Sequence, residues 1–206
     1  MNTDFLKLSA DDRRIVIEQS ALHRNLSPVI LEKDFWVCWL LGVLFESEFA
    51  GSLVFKGGTA LSKVFSDWRC EVIALGVERS FWEKVTILHA EHHRPAGKPT
   101  PDRYSRHYAD TAALVTSPTV IPAIDRLDIP ERVVEWKRRF FGSRWASYDT
   151  AKPGTLRLVP ALARLRHLRQ DYGAMRDMYL GEPVPFDDVM NTLSAIEARV
   201  NGGSMA

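Results

Sequence analysis

The spacing of apolar residues changes twice along the chain and predicts different elements in each stretch. Helical spacing dominates the first 45 residues, where Ser9 and Ser27 precede predicted helices and the second helix ends in FWVCWLLGVLF at 35–45. Shorter apolar runs, SLVF at 52–55 and CEVIALGV at 70–77, are bounded by turn-forming residues and predict β-strands. Helical spacing then returns, so the C-terminal half is predicted to be helical.

These elements indicate an α+β fold, in which a small sheet with flanking helices precedes a helical C-terminal half. The stretch RPAGKPTPD at 94–102 is rich in proline and glycine and is the clearest linker in the sequence. We therefore expect a partial α+β core over residues 1–93, a linker over 94–101 and a helical region over 102–206. The apolar run at 35–45 is expected to form a buried helix, because it is too short to span a bilayer.

The balance of charge gives no chain-wide attraction to nucleic acids or anionic membranes. The 206 residues include 27 lysines and arginines against 26 aspartates and glutamates, a formal net charge of +1. Any surface for nucleic acid must therefore come from local clustering of basic residues. Two cysteines are too few for a disulfide framework, and the N-terminus lacks an apolar signal core, so we expect a cytoplasmic protein.

Such clustering occurs in EWKRRFFGSRW at 135–145, where four basic residues are interleaved with four aromatic ones. Basic side chains can bind phosphates and rings can stack on bases, so this stretch is a candidate RNA surface. The same pattern also fits an amphipathic helix with a solvated basic face and a buried aromatic face. A second basic helix is predicted at 163–177, which favours RNA or an acidic partner protein.

Two other stretches contain candidate ligand-binding residues. In VFKGGTALSKVF at 54–65 a predicted strand turns through Gly57 and Gly58 into a predicted helix that starts near Thr59, and such a turn can bind phosphate. The same turn also allows a helix to pack closely on a sheet. The histidines of HAEHH at 89–93 have a spacing that permits metal binding, although histidines at a helix end also serve as solvated caps.

Five stretches together resemble one protein family. They are LEKDFWVCWLLGVLF (31–45), FKGGTALSKVF (55–65), ALGVERSFWEKVTILHAEHHRP (74–95), DRYSRHYADTAAL (102–114) and RQDYGAMRDMYLGEPVPFDDVMNTL (169–193). In this combination the chain resembles the AbiEii/AbiGii toxin family of nucleotidyltransferase-like proteins. The resemblance implies a polymerase-β-like nucleotidyltransferase core followed by a helical region.

The resemblance also implies a toxin of a bacterial toxin–antitoxin or phage-exclusion system. Such a protein would transfer a nucleotide from a nucleoside triphosphate (NTP) to RNA, such as tRNA, or to protein, with Mg²⁺ as cofactor. Its partners would be the NTP, the RNA and a cognate antitoxin protein, and no membrane would be involved. A catalytically inactive relative that acts as a binding module is the alternative.

Individual residues receive roles from the same resemblance. Lys84 and Asp110 would be catalytic: Lys84 would neutralise phosphate, and Asp110, with His107 beside it, would orient that lysine or activate the acceptor. The nucleotide-binding residues would be Gly57, Gly58, Thr59, Lys63 and Arg106. These residue types suit nucleotidyl transfer, which depends on positioning and on charge neutralisation.

The chain departs from the family pattern at the metal site. The family has an Asp-x-Asp pair on the strand after the glycine-turn helix, where alternate residues place both carboxylates on one face. This chain continues as SDWRCEVIALGVERS, in which Asp67 has no second acid at that spacing. Either the protein has lost this strand, or the sequence lacks residues that the full polypeptide contains. The metal ligands are therefore unassigned, and enzymatic activity depends on which explanation holds.

Overall fold

A computed structural model describes residues 4–56, 75–118, 120–126, 128–179 and 182–202. Within these ranges the chain folds into helices and connecting loops and forms no β-strand. Contacts between residues divide the chain into two compact units. The first contains the described residues 4–56 and 177–179, and the second contains the other described residues.

The first unit contains three α-helices in its described residues. They are α1 (Asp4–Lys7), α2 (Ala10–Arg24) and α3 (Pro28–Phe45), followed by a 3₁₀ turn at Ala50–Ser52. The predicted helix starts are confirmed. The Ser9 hydroxyl oxygen accepts a hydrogen bond from the Asp12 N–H at 3.1 Å, which caps α2. Pro28 follows Ser27 as the first residue of α3.

The expectation of a buried helix over residues 35–45 is only partly confirmed. In α3 the side chain of Leu41 is buried, whereas Trp36 and Leu40 are exposed. A continuous apolar run has no periodicity that shows which face of a helix is covered, so the sequence could not reveal this difference. In the part of the chain that the structure describes, no helix is long and apolar enough to cross a membrane.

The second unit contains five α-helices in its described residues, as predicted for the C-terminal half. They are α4 (Val77–His92), α5 (Ser105–Val115), α6 (Asp128–Phe140), α7 (Leu162–Ala174) and α8 (Phe186–Val200). Further 3₁₀ turns lie at Ile121–Asp125, Arg144–Ala146 and Tyr148–Thr150. Helix α4 contacts α5 and α6, and α5 also contacts α7 and α8, so α4 and α5 lie at the centre of this unit.

One face of α4 supplies much of the core of the second unit. Phe81, Trp82, Val85 and Leu88 recur at helical spacing, and all four are fully buried. Burial of a side chain of this size contributes about 1.5–3 kcal/mol relative to exposure. This apolar face fixes the rotation of α4, and with it the direction of every polar side chain on the helix.

A buried carboxylate fixes the segment that follows α4. Glu91 is fully buried, and its two carboxylate oxygens accept hydrogen bonds from Arg94 Nε and from the Thr100 hydroxyl, each at 2.6 Å. Arg164 of α7 donates to the Thr100 hydroxyl oxygen at 2.7 Å and lies 3.9 Å from the Glu91 carboxylate. The predicted linker at 94–101 is therefore attached to α4 and α7, and the division of the chain at this segment stays a prediction.

Asp171 of α7 fixes the start of α5. Its carboxylate accepts hydrogen bonds from the Ser105 N–H at 2.8 Å, the Ser105 hydroxyl at 2.5 Å and the Arg103 N–H at 2.6 Å. Burial raises the pKa of Asp171, but the hydrogen bonds from Ser105 and Arg103 outweigh it, so the pKa lies below its ordinary value. Free N–H groups at the beginning of α5 thus have a charged acceptor.

The expected α+β fold is wrong, because the described residues are all-α. Val77, the last residue of the predicted strand at 70–77, is the first residue of α4, and Ser52 belongs to a 3₁₀ turn. Residues 70–74 lie outside the described residues. Short apolar runs fit a buried helix or an irregular segment as well as a strand, so their spacing could not decide between them.

Candidate active site

Lys84 is buried in the middle of α4, with 7% of its surface exposed. It follows Phe81 by three positions and precedes Leu88 by four, so the three side chains share one face of the helix. Helix packing therefore carries its ammonium group into the interior of the second unit. A buried ammonium group is strongly unfavourable without partners, so the contacts of Lys84 Nζ define the site.

Two side chains of α5 contact this ammonium group. Lys84 Nζ donates a hydrogen bond to Asp110 Oδ2 at 2.5 Å and lies 3.2 Å from His107 Nδ1. His107 and Asp110 are three positions apart, which places them on the same face of α5. The Asp110 side chain is 28% exposed, so the group is accessible from solvent on the Asp110 side. We call Lys84, His107 and Asp110 the lysine cluster.

The environment keeps His107 neutral. Burial lowers the pKa of His107 most, and the positive charge of Lys84 adds to this effect. Arg106 and Lys137 lower the same pKa further, to about 3. An ammonium group can only donate hydrogen bonds, so His107 Nδ1 is the acceptor and the ring proton lies on Nε2.

Lys137 of α6 brings a further cation close to the lysine cluster. It is 8% exposed, and its Nζ lies 5.1 Å from the centre of the Phe141 ring. Burial lowers the pKa of His107 most, followed by the charges of Lys84 and Arg106, and the charge of Lys137 lowers it further. Helix α6 packs on α4, and this packing places Lys137 near the cluster.

The end of α6 exposes aromatic rings among basic side chains. Phe140 and Phe141 are 59% and 58% exposed, and the Arg139 guanidinium lies 5.6 Å from the centre of the Phe140 ring. Arg138 forms an ion pair with Asp149. The alternative interpretation of this stretch, an amphipathic helix, requires a buried aromatic face, and these two exposed rings do not form one. We call Arg138, Arg139, Phe140 and Phe141 the α6 patch.

Comparison with known proteins gives one match. The model of the family described as nucleotidyl transferase AbiEii toxin, type IV toxin–antitoxin system, matches residues 66–192. The chain belongs to the AbiEii toxin family. No curated protein and no solved structure matches it. The family membership predicted from the sequence is thereby confirmed.

The AbiEii match includes the whole lysine cluster and Arg106. Arg106 is exposed on α5 and lies close enough for its charge to act on His107. The other predicted nucleotide-binding residues precede the match and lie outside the described residues: Gly57, Gly58, Thr59 and Lys63. Their roles, and the catalytic roles of Lys84 and Asp110, stay predictions.

The first histidine of the stretch at 89–93 of this AbiEii protein packs in the interior of the second unit. His89 is fully buried, and its Nδ1 accepts a hydrogen bond from the Arg157 N–H at 3.1 Å while its Nε2 lies 3.1 Å from the Ser147 carbonyl oxygen. Burial lowers the pKa of His89 to about 4. Both ring nitrogens are occupied, and no group of three His, Cys, Asp or Glu side chains among the described residues could hold a metal ion.

Nucleotidyltransferases of the AbiEii family are expected to use a divalent metal ion. Near Lys84 the carboxylate that the described residues supply is Asp110, which the ammonium group already engages at 2.5 Å. A Mg²⁺ ion usually takes two carboxylates together with phosphate oxygens and water. The described residues therefore do not fit a magnesium site at this position, and no step is assigned to a metal ion.

Sequence reasoning found Lys84 and Asp110, and the structure brings them together. It named His107 only as a neighbour, although the spacing of His107 and Asp110 on a predicted helix was a usable signal. It placed Lys137 in a solvated or RNA-binding surface, whereas Lys137 is buried beside the lysine cluster. A usable signal was overlooked, because Lys137 follows Val133 by four positions and Val134 by three, which places it on the buried face of α6, whereas Arg139 is exposed.

Proposed function

We propose that the protein is a nucleotidyltransferase toxin that transfers a nucleotide from an NTP to RNA. The observation that carries this proposal is the lysine cluster, which lies within the AbiEii match. An ammonium group has three N–H donors, and His107 and Asp110 use two of them. Among the described residues the third donor of Lys84 has no acceptor, so we assign to Lys84 the neutralisation of charge on the triphosphate.

In the proposed reaction a hydroxyl oxygen of the RNA attacks the α-phosphorus of the NTP. A new P–O bond forms while the bond from the α-phosphorus to the bridging oxygen breaks, pyrophosphate leaves, and the hydroxyl proton passes to water. Asp110 already accepts a hydrogen bond from Lys84 at 2.5 Å. We therefore assign to Asp110 the orientation of Lys84 and not the removal of the acceptor proton.

The phosphate-binding turn is proposed from the family resemblance. Gly57, Gly58 and Thr59 would bind phosphate oxygens through backbone N–H groups and a hydroxyl, and Lys63 and Arg106 would add positive charge. The resemblance also implies Mg²⁺ bound with the triphosphate, but the described residues near Lys84 do not fit its site, so the proposed reaction includes no step on a metal ion. A cognate antitoxin protein would counteract the activity, as membership of a type IV toxin–antitoxin family implies. We place the reaction in the cytoplasm, where NTPs and RNA are available.

The α6 patch supports RNA as the acceptor. Phe140 and Phe141 offer exposed rings on which bases can stack, and Arg139 offers a charge for the phosphate backbone. Lys137 is close to both the α6 patch and the lysine cluster. Its Nζ lies 5.1 Å from the centre of the Phe141 ring, and its positive charge adds to burial in lowering the pKa of His107. A strand of RNA stacked on the patch would therefore lie near the proposed NTP site.

A transfer assay tests this proposal. The purified protein is incubated with Mg²⁺, total RNA and each of the four NTPs labelled at the α-phosphate. Wild type should label RNA with at least one NTP, and Lys84→Met should lower the rate about 100-fold, the usual effect of removing one charge-stabilising group. Lys152→Met changes an exposed lysine and should label RNA as wild type does. A wild-type protein that labels no RNA with any NTP would contradict the transferase proposal.

The absence of an Asp-x-Asp pair favours a second candidate, a catalytically inactive binding module. This candidate predicts no labelling of RNA, whereas RNA should still bind to the α6 patch. Melting curves with and without Mg²⁺ and each NTP separate the two candidates, because a ligand that binds only the native state raises the melting temperature. No shift with any NTP would favour the binding module.

A further inference from the structure

We propose that His107 is a positioning residue that holds the Lys84 ammonium group in place for its phosphate ligand. The inference rests on the proposed function and assigns a role to a residue that family membership leaves unassigned. Its basis is geometric: Lys84 Nζ lies 3.2 Å from His107 Nδ1 and 2.5 Å from Asp110 Oδ2. Two acceptors from one face of α5 therefore hold a single ammonium group from α4.

Two acceptors fix the ammonium group better than one. A lysine side chain held only by Asp110 could rotate about that single contact, and its two remaining N–H donors would point in varying directions. The second contact, with His107, removes this freedom and leaves one donor in a defined direction. The structure thus supplies a positioned donor for an anionic ligand, with its orientation set by helix packing.

The imidazole suits this role because it stays neutral. A protonated ring would present an N–H to the ammonium group and repel it, whereas the neutral ring presents an acceptor at Nδ1. Burial and the neighbouring charges, of which that of Lys84 is the largest, keep the pKa of His107 far below neutrality. Lys84 therefore has the same acceptor across the physiological pH range.

A purely structural role for His107 is the competing explanation. Its ring packs edge-on against Tyr104, with ring centres 4.8 Å apart, so the imidazole also fills space in the second unit. The hydrogen bond from the Thr111 hydroxyl is to the backbone carbonyl of His107 and does not depend on its side chain. The two explanations differ in one respect, because only positioning requires an acceptor at the place of Nδ1.

Three substitutions separate these explanations. His107→Asn keeps a carbonyl acceptor near the position of Nδ1, whereas His107→Gln moves its amide to the position of Nε2 and His107→Leu has no acceptor. His23→Asn, at an exposed position on α2, is the matched control. The full-length variants are treated with a trace of acetic anhydride, and the acetylation rate of Lys84 is measured by mass spectrometry relative to that of the exposed Lys152 in the same molecule.

Positioning predicts that Lys84 is acetylated about tenfold faster in His107→Leu and His107→Gln, because one hydrogen bond to a charged group is lost. His107→Asn and His23→Asn should stay within about twofold of wild type on the same reasoning. Equal Lys84 rates in the Asn, Gln and Leu variants would overturn the proposal. If the Leu variant does not fold, as shown by its melting curve, the comparison of Asn with Gln still decides the question.

Affinity for a fluorescent ATP analogue then tests the link to function. Wild type and His107→Asn should bind it with similar affinity, and His107→Gln should bind about tenfold more weakly. If wild type binds no nucleotide while the acetylation rates differ as predicted, the proposed function fails and the positioning role stands. If wild type binds nucleotide and the acetylation rates do not differ, the positioning role fails and the proposed function stands.

Discussion

The protein should lose stability on mild acidification because of His89. This side chain is fully buried, and its Nδ1 must stay unprotonated to accept the hydrogen bond from the Arg157 N–H. Burial is the largest cause that lowers its pKa, from 6.5 in the unfolded chain to about 4 in the folded protein. The unfolded state therefore binds a proton more readily than the folded state between these two pH values. Acidification from above pH 6.5 toward pH 4 must favour unfolding.

The size of the effect follows from the two pKa values. Between about pH 7.5 and about pH 5 the difference in proton binding lowers the free energy of unfolding by about 2 kcal/mol. The full difference, about 3 kcal/mol, is reached below pH 4. His107, whose pKa is lowered chiefly by burial, contributes a loss of the same sign, so wild type should lose more than the His89 share alone.

Urea unfolding of wild type and His89→Gln at both pH values isolates the share of His89. The glutamine variant is expected to be less stable at pH 7.5 by about 1–3 kcal/mol, because the Arg157 N–H loses its acceptor. It should then lose about 2 kcal/mol less than wild type on acidification, since it cannot take up that proton. His23→Gln, at an exposed position, should follow wild type. Equal losses in wild type and His89→Gln would refute the reasoning.

Three further predictions concern the polar contacts and the α6 patch. Arg164→Met should lower the free energy of unfolding by about 3 kcal/mol, because the buried Glu91 loses a cation. Urea titration should show no such loss for Arg166→Met, which changes an exposed arginine. Equal losses in the two variants would contradict a stabilising role of the buried network. Asp171→Asn should cost about 1 kcal/mol by weakening the cap of α5. Burial raises the pKa of Asp171, but its hydrogen bonds lower it more. Wild type should therefore be more stable than Asp171→Asn above the ordinary aspartate pKa, and this difference should disappear as pH falls through the lowered pKa. Melting curves of both proteins from pH 5 downward measure the difference. Replacing both Phe140 and Phe141 with alanine should weaken RNA binding about tenfold or more without lowering the melting temperature; Leu162→Ala, at an exposed apolar residue of α7, is the control, and an unchanged RNA affinity in the double variant would exclude the α6 patch as the RNA surface.

Local signals in the sequence predicted the helices well. A serine cap before α2, a proline at the start of α3 and regular apolar spacing along α4 each depend on residues within one or two turns of the feature they predict. The predicted strand at 52–55 was wrong for a related reason, whereas most of the predicted strand at 70–77 lies outside the described residues. A run such as SLVF becomes a strand only if another strand pairs with it, and pairing is a non-local property that the run itself does not contain.

The candidate site was predicted in part. Lys84 and Asp110 could be named from the family resemblance, whereas their 2.5 Å contact depends on how α4 crosses α5. Both helices contribute fully buried side chains to the core, such as Leu88 of α4 and Tyr108 of α5, and their packing is not a local property of either sequence. The same packing brings Lys137 toward His107. Helical spacing after Val133 and Val134 indicates that Lys137 is buried, but it does not indicate which helix Lys137 approaches.

Charged residues at core positions of a helix are a sequence signal for functional or structural sites, and α4 contains two such residues. Lys84 and Glu91 both fall on the buried face that Leu88 helps to form, where the apolar pattern would place a hydrophobic side chain. Their partners separate the two cases. Both carboxylate oxygens of Glu91 accept hydrogen bonds within the second unit, as expected for a charge that holds a fold together. Within the described ranges the ammonium group of Lys84 has two partners for three donors, beside a carboxylate that is partly open to solvent. A buried charge with one donor left unused costs stability unless a ligand completes it, which favours Lys84 over Glu91 as the functional residue of this helix.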